Sequence, residues 1–394
     1  MDMSDKMALS RRGFLTSACC LAAAPLMTKM TLAAVPGDKR LITIILRGAM
    51  DGLHLVQPYG DPAFRLLRPN LAAAPGKEMI DLDGFYGLNA EAGSLLPLWR
   101  RGELAFVQSV STPYRDARSH FDGQDMLESG GTDVGQEKTG WLNRALSAIP
   151  SAGSRRAIDI NSSAELLLGG ANEVDVWSPR ADLTMKADEM RFFDRLYRND
   201  PPFARAMAEA TMTDLSADAL YGDEKRGAGA EDVARLAAGM LMQDYRIASF
   251  SITGWDTHAG QRRAFKAPAS DLATAILTIR KTLSSAVWRE TVILAMTEFG
   301  RTARENGSGG TDHGTGGMAL IAGGDINGGK VIGQWPGLAE SQLLNGRDLM
   351  PTGDVRELAA AMLYRQFGIS PGNLSNTVFP GIGFDRSSIY LRAL

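Results

Sequence analysis

Leu41-Ile42-Thr43-Ile44-Ile45-Leu46 is a nearly unbroken apolar run, rich in β-branched residues, that stops at Arg47-Gly48-Ala49-Met50-Asp51-Gly52. A strand with one wet face would alternate apolar and polar residues. This run does not, so it predicts a strand buried on both sides, as in a parallel sheet covered by helices. Outward from it, residues 95–99 predict a helix, residues 104–107 a strand, and Ser119 the start of a helix reaching residue 128. Farther on, residues 232–245 predict a helix and 247–252 a strand. Residues 272–283 predict another helix, with Leu272, Ile276, Ile279 and Leu283 at helical spacing. Two more apolar runs, 291–296 and 318–322, predict strands, and residues 355–367 a closing helix. Strands that alternate with helices predict an α/β fold: three layers, a mostly parallel central sheet, helices on both faces. The strands at 41–46, 247–252 and 291–296 are expected near its centre. Residues 130–140 and 214–230 are polar and glycine-bearing, and the stretch between them departs from the alternation. It is expected to be a cap or insertion, around residues 130–230, in a single domain spanning 35–394.

The N-terminus predicts export. Ser10-Arg11-Arg12-Gly13-Phe14-Leu15 carries paired arginines, residues 15–27 are small and apolar, and Thr31-Leu32-Ala33-Ala34 offers small residues for cleavage. Charged, apolar and small-residue regions in that order make a signal peptide, here residues 1–34, and the arginine pair marks the twin-arginine route to a periplasmic or secreted location. The translocase of that route is the expected partner during export. The apolar run is too short to be expected as a membrane span, and no later stretch is expected to hold the mature chain in a bilayer. Cys19 and Cys20 are the two cysteines; cleavage near Ala34 removes both, leaving no disulfide and no thiolate metal site. A net charge of −3 excludes a general nucleic-acid binder, and 44% hydrophobic with 22% charged residues is ordinary for a globular chain.

Ligands on such sheets sit beyond the carboxyl ends of the strands, and the polar residues gather there. Asp51 follows the first strand, Ser119-His120 the strand near Phe106, Asp256-Thr257-His258 the strand at 247–252, and Glu298 the strand at 291–296. Glu298 leads on to Thr311-Asp312-His313. The four histidines are His54, His120, His258 and His313, and three of them stand close to an aspartate. Asp51, Asp256, His258, Asp312 and His313 are therefore candidate ligands for one divalent ion: zinc, manganese, magnesium or calcium. The alternative is that these side chains cap helices and tie loops together. His54 is read as structural. Ser119 fits equally an N-cap and a nucleophile whose oxyanion rests on a helix N-terminus. His120 is a candidate assistant, and Arg115 and Arg118 candidate clamps for an anionic group.

These residues resemble a twin-arginine-exported bacterial family, domain of unknown function fifteen-oh-one. The resemblance rests on residues 47–53, Ser119-His120-Phe121-Asp122-Gly123-Gln124-Asp125, Gly140-Trp141-Leu142-Asn143-Arg144, Gly254-Trp255-Asp256-Thr257-His258, Glu298-Phe299-Gly300-Arg301-Thr302, and residues 311–316. It implies kinship with the alkaline phosphatase and sulfatase superfamily, and with it an alkaline phosphatase-like sheet, a metal centre at the strand ends and a Ser or Thr nucleophile. By that resemblance Asp51 matches the first-strand metal ligand, Asp312-His313 the paired ligands, His258-Ala259-Gly260 a His-Thr-Gly element, and Ser119 the nucleophile. Gly254 stands where the superfamily has an aspartate, so Asp256 would substitute. No histidine follows His313, so the late ligand of the superfamily is missing. Two functions follow as expectations: an exported metal-dependent hydrolase of phosphate or sulfate esters, small or polymeric, or a non-catalytic exported scaffold or binding protein that keeps the fold.

Replacing Arg11 and Arg12 with lysine is expected to leave the precursor in the cytoplasm, because the translocase reads that pair. Fractionation of cells expressing the double variant checks this; normal periplasmic accumulation would refute the assignment.

Overall fold

The computed structural model describes residues 38–74, 76–115, 118–150, 156–161, 165–178, 229–392 and 394. The expected signal peptide and most of the expected insertion lie outside the described residues. The strands are β1 (Arg40–Leu46), β2 (Val56–Gln57), β3 (Met79–Asp81), β4 (Gly87–Asn89), β5 (Leu104–Ser111) and β6 (Arg156–Ile160). They continue as β7 (Asp175–Trp177), β8 (Tyr245–Ile252), β9 (Thr291–Met296), β10 (Gly317–Gly323), β11 (Lys330–Ile332) and β12 (Gly353–Asp354). Among the described residues the main sheet runs β11-β5-β10-β9-β1-β8-β6-β7, with β12 also on β5, and β2, β4 and β3 form a small separate sheet.

The opening run sits at the centre. β1 pairs in parallel with β8 on one side and β9 on the other. Its residues alternate between two cores. Ile42, Ile44 and Leu46 pack under the helices Ala230–Leu241 and Lys266–Thr282. Leu41 and Ile45 pack under the helices Trp141–Ala148 and Val355–Phe367. The apolar residues of β8, β9 and β10 divide in the same way, so the central strands are largely apolar because both faces are covered. The fold is therefore α/β, a mostly parallel central sheet with helices on both faces. Among the described residues no helix is long and apolar enough to cross a membrane.

Two features differ from the alternation read in the sequence. β10 is antiparallel to both β9 and β5. No helix separates β9 from β10, and the chain returns antiparallel without crossing the sheet face on a helix. The described part of the expected insertion contains β6 and β7, which extend the main sheet in parallel beyond β8.

One glycine is fixed by this packing. A Cβ on Gly300 would lie 1.8 Å from the carbonyl oxygen of Gly316, backbone against backbone. Gly300→Ala is expected to cost about 1–3 kcal/mol as the two segments are forced apart. Urea unfolding checks this; an unchanged midpoint would show that the two segments do not approach as described.

Candidate metal centre

β1, β8 and β9 are parallel, and β5 shares their direction because it is antiparallel to β10. The segments after β1, β5, β8 and β9 therefore meet along one edge of the sheet. The first contact is steric. Gly48 has φ +114, and a Cβ there would lie 2.6 Å from the backbone nitrogen of Asp256, so glycine alone lets these two loops touch. Ala49 also adopts a positive φ, 57°.

That turn aims carbonyls at Arg301, whose side chain is fully buried. Arg301 donates from Nε to Ala49 O (2.9 Å), from Nη1 to Thr311 O (3.0 Å), and from Nη2 to Gly48 O (3.1 Å) and Trp255 O (3.1 Å). Nη2 also lies 2.5 Å from Asp256 Oδ1. Burial alone would raise the Asp256 carboxyl, but the Arg301 hydrogen bond and charge outweigh it and hold the group below its ordinary range.

Three histidines surround Asp256. His120 Nδ1 lies 2.8 Å from Glu298 Oε1, His313 Nδ1 2.8 Å from the carbonyl of Arg118, and His258 Nδ1 3.4 Å from Asp312 Oδ1. A carbonyl and an ionised carboxylate only accept, so each Nδ1 is the protonated nitrogen. Arg118 takes a positive φ of 55°, and its carbonyl is the one His313 meets. The three Nε2 atoms are left facing inward. Those of His258 and His313 stand 3.0 Å apart and lie 3.1 and 3.3 Å from Asp256 Oδ1. His120 Nε2 lies 3.5 Å from Asp256 Oδ2 and is buried with no hydrogen-bond partner. Ligand atoms of His120, Asp256 and His313 all fall within 4.8 Å of one another, with His258 adjoining on the exposed side.

The surroundings set the charges. The Glu298 hydrogen bond raises the His120 imidazole above its ordinary value, against the opposing pull of burial. Glu298 is itself buried, yet hydrogen bonds from His120, its own backbone, Gly48 and Thr297 hold it ionised. Burial lowers the His313 imidazole, and the Asn306 amide lowers the Asp312 carboxyl. Unprotonated nitrogens 3.0 Å apart beside a carboxylate repel one another unless a proton or a metal cation lies between. Four-coordinate zinc, with arms of roughly 2.0–2.2 Å, requires donor edges of roughly 3.3–3.6 Å; His258 Nε2, His313 Nε2 and Asp256 Oδ1 stand 3.0–3.3 Å apart, and His120 Nε2 lies 3.5 Å from the other oxygen of Asp256. Each imidazole is oriented through its other nitrogen, as metal-bound histidines are. The donor set fits a divalent ion.

The residues expected at one centre divide. Asp256, His258 and His313 come together with His120, while Asp312 orients His258 from outside. Asp51 is the exception. It is fully buried, paired with Arg68 at 2.7 Å and with the Gln261 amide at 2.5 Å. Arg68 overcomes the effect of burial and keeps it ionised. Asp51 thus has a fixed counter-ion of its own and stands outside the histidine group. Ser119 caps the helix His120–Ser129, accepting from Asp122 N at 3.4 Å. Arg115 turns back on its own loop, donating to the carbonyls of Thr112 (2.5 Å) and Tyr114 (2.7 Å). Glu298 and Arg301 had no role assigned from sequence. Their one signal was a shared place in the segment Glu298-Phe299-Gly300-Arg301-Thr302, directly after a central strand.

The family model described as protein of unknown function (DUF1501) matches residues 108–378. The chain belongs to that family. No curated protein matches it. Among solved structures, Ps i-CgsB in complex with k-i-k-neocarrahexaose is 10% identical, with 88% of this chain and 75% of that one covered, at a TM-score of 0.40. A protein in the alkaline phosphatase superfamily from Vibrio parahaemolyticus is 12% identical, with 75% and 62% covered, at 0.35. A TAB5 alkaline phosphatase mutant with Mg bound is 11% identical, with 72% and 91% covered, at 0.33.

The Asp51–Arg68 pair generates a stability prediction. Removing one partner of a buried ion pair strands the other, at a cost of about 3–5 kcal/mol. Arg68→Met is expected to destabilise by that amount, and adding Asp51→Asn to recover part of it. Urea midpoints of the two variants check this; a single variant as stable as the parent would mean Asp51 is otherwise compensated.

Proposed function

We propose that this member of the DUF1501 family is an exported, metal-dependent hydrolase of phosphate or sulfate esters, delivered folded by the twin-arginine route that Arg11 and Arg12 point to. The observation that carries the hydrolase reading is the convergence of three imidazole Nε2 atoms on Asp256 while every Nδ1 is held by an oxygen. His120, His313 and Asp256 would hold the ion, with His258 beside them. Their nitrogen-rich chemistry suits zinc or manganese better than magnesium or calcium, which favour all-oxygen sites. A bound ion would supply Lewis-acid charge to the oxygens of the ester.

The remaining work belongs to the chain. Glu298, Asp312 and the Arg118 carbonyl fix the imidazole rings, and Arg301 keeps Asp256 charged and in place. Ser119 opens a ten-residue helix beside His120. Its capping bond of 3.4 Å is long for a hydrogen bond, so Oγ is weakly held, and free amides of the first turn lie beside it to receive developing negative charge. In this reading Ser119 Oγ attacks the phosphorus or sulfur, the alcohol leaves, and water releases the group from serine. Arg115 clamps the anionic ester on leaving its own loop carbonyls.

One observation favours the second reading, an exported scaffold without catalysis. Asp51 and Asp256 are already paired with Arg68 and Arg301, so their negative charge is balanced by guanidinium groups. Metal analysis and an ester screen separate the two. The hydrolase reading expects about one equivalent of a zinc-like ion, retained in Ser119→Ala and lost in Asp256→Ala. It expects turnover of p-nitrophenyl phosphate or sulfate to fall by roughly a thousandfold in Ser119→Ala. Protein that neither retains nor takes up a divalent ion would sink the metal-dependent reading in favour of the scaffold. Metal binding with undiminished turnover in Ser119→Ala would return that residue to capping alone.

A further inference from the structure

The fourth histidine stands apart from the other three. His54 is buried in the short helix Gly52–Leu55, and its Nδ1 has no partner among the described residues. Burial pushes its pKa down to about 4, so the imidazole is neutral. Its edge meets the Phe265 ring at 4.7 Å and 87°. A buried, neutral and unsatisfied imidazole against an aromatic ring is costly in an apolar core. His54, however, lines a cavity of about 510 Å3, with Phe265, Leu71 and Ala73 as apolar wall. That volume is typical of small-molecule sites, which combine apolar walls with a few placed polar groups.

The mouth carries the second feature. Four cations line it, Lys77, Arg262, Arg263 and Lys266, with Glu78 and Glu91 as the acidic residues. Glu78 is taken by Arg262 at 2.8 Å and Glu91 by Lys266 at 3.0 Å. Lys77 and Arg263 make no ion pair among the described residues, so cations outnumber acidic groups at the rim, over a chamber in which His54, Gln57 and Asn89 are the polar groups between apolar walls.

We propose that this cavity binds a small organic anion, a carboxylate, phosphate or sulfate group carried on a compact apolar body. The anionic group meets Lys77 and Arg263, the body lies against Phe265 and Leu71, and a hydroxyl or amine of the ligand reaches His54. None of the lining residues belongs to the histidine cluster, so the proposal holds or fails independently of the metal and of hydrolysis.

Fluorescence titration of the purified protein with 8-anilinonaphthalene-1-sulfonate tests it, followed by displacement with benzoate and with benzyl alcohol, its neutral counterpart in size. The expected result is one saturable site, displaced by benzoate and not by benzyl alcohol, and unchanged after treatment with chelator. Lys77→Glu with Arg263→Glu, both on the rim, should weaken binding by roughly tenfold or more. Ala90→Trp, which places an indole at an exposed lining position, should weaken it similarly while circular dichroism stays unchanged. Absence of saturable binding, equal displacement by the neutral analogue, or affinity unaffected by both variants would overturn the proposal.

Discussion

A guanidinium with no access to water governs the strand-end edge of this protein. A buried guanidinium such as that of Arg301 is tolerated only when its donors are met. Its acceptors come from separate parts of the chain: Gly48 and Ala49 after β1, Trp255 and Asp256 after β8, and Thr311 before β10. Satisfying one side chain therefore fixes three segments relative to one another. The left-handed backbone at Gly48 and Ala49 belongs to the same requirement, because it accompanies carbonyls turned inward to the guanidinium.

The same edge treats two buried carboxylates differently, and the difference lies in their partners. Asp51 is neutralised by Arg68, a permanent cation held on its other sides by the carbonyls of Thr302 and Ala303. There the carboxylate charge is met by a fixed guanidinium. Glu298 instead holds His120 by one nitrogen and leaves the other exposed to Asp256. An imidazole changes state near neutral pH and can trade a proton for a metal ion. Carboxylates of similar burial thus serve opposite ends: one locks the loop after β1 in place, and the other prepares a donor.

The sequence revealed β1 and β9 because burial on both faces removes the polar alternation, and together with β8 they are the centre of the sheet. It did not reveal the direction of β10, since an apolar run carries no orientation; the usable clue was the lack of helical periodicity across residues 297–316. β6 and β7 escaped because they are short, and β6 carries Asp159 in its interior. Strand-end position pointed to Asp256, His258, Asp312 and His313, which gather around the cluster. It pointed equally to Asp51, because nothing in the surrounding pattern marks Arg68 as its partner. The roles of Glu298 and Arg301 depend on pairings with His120, Gly48 and Ala49 across 178 to 252 residues, which composition and periodicity do not encode.

The antiparallel return of β10 gives the site its economy. A crossover helix between β9 and β10 would carry the chain to the opposite edge of the sheet. The direct connection keeps residues 297–316 at the strand-end edge, a length beyond that of most connections in compact domains. From this one connection come Glu298, which orients His120; Arg301, which ties the neighbouring loops; Asp312, which orients His258; and His313, a donor itself. Its close packing is backbone on backbone, Gly300 against Gly316, so the segment is held by the sheet at both ends and by Arg301 in between. A loop so constrained holds His313 and, through Glu298 and Asp312, the rings of His120 and His258, in converging positions. The convergence is therefore a consequence of how β10 re-enters the sheet, not of local preferences in the histidine segments.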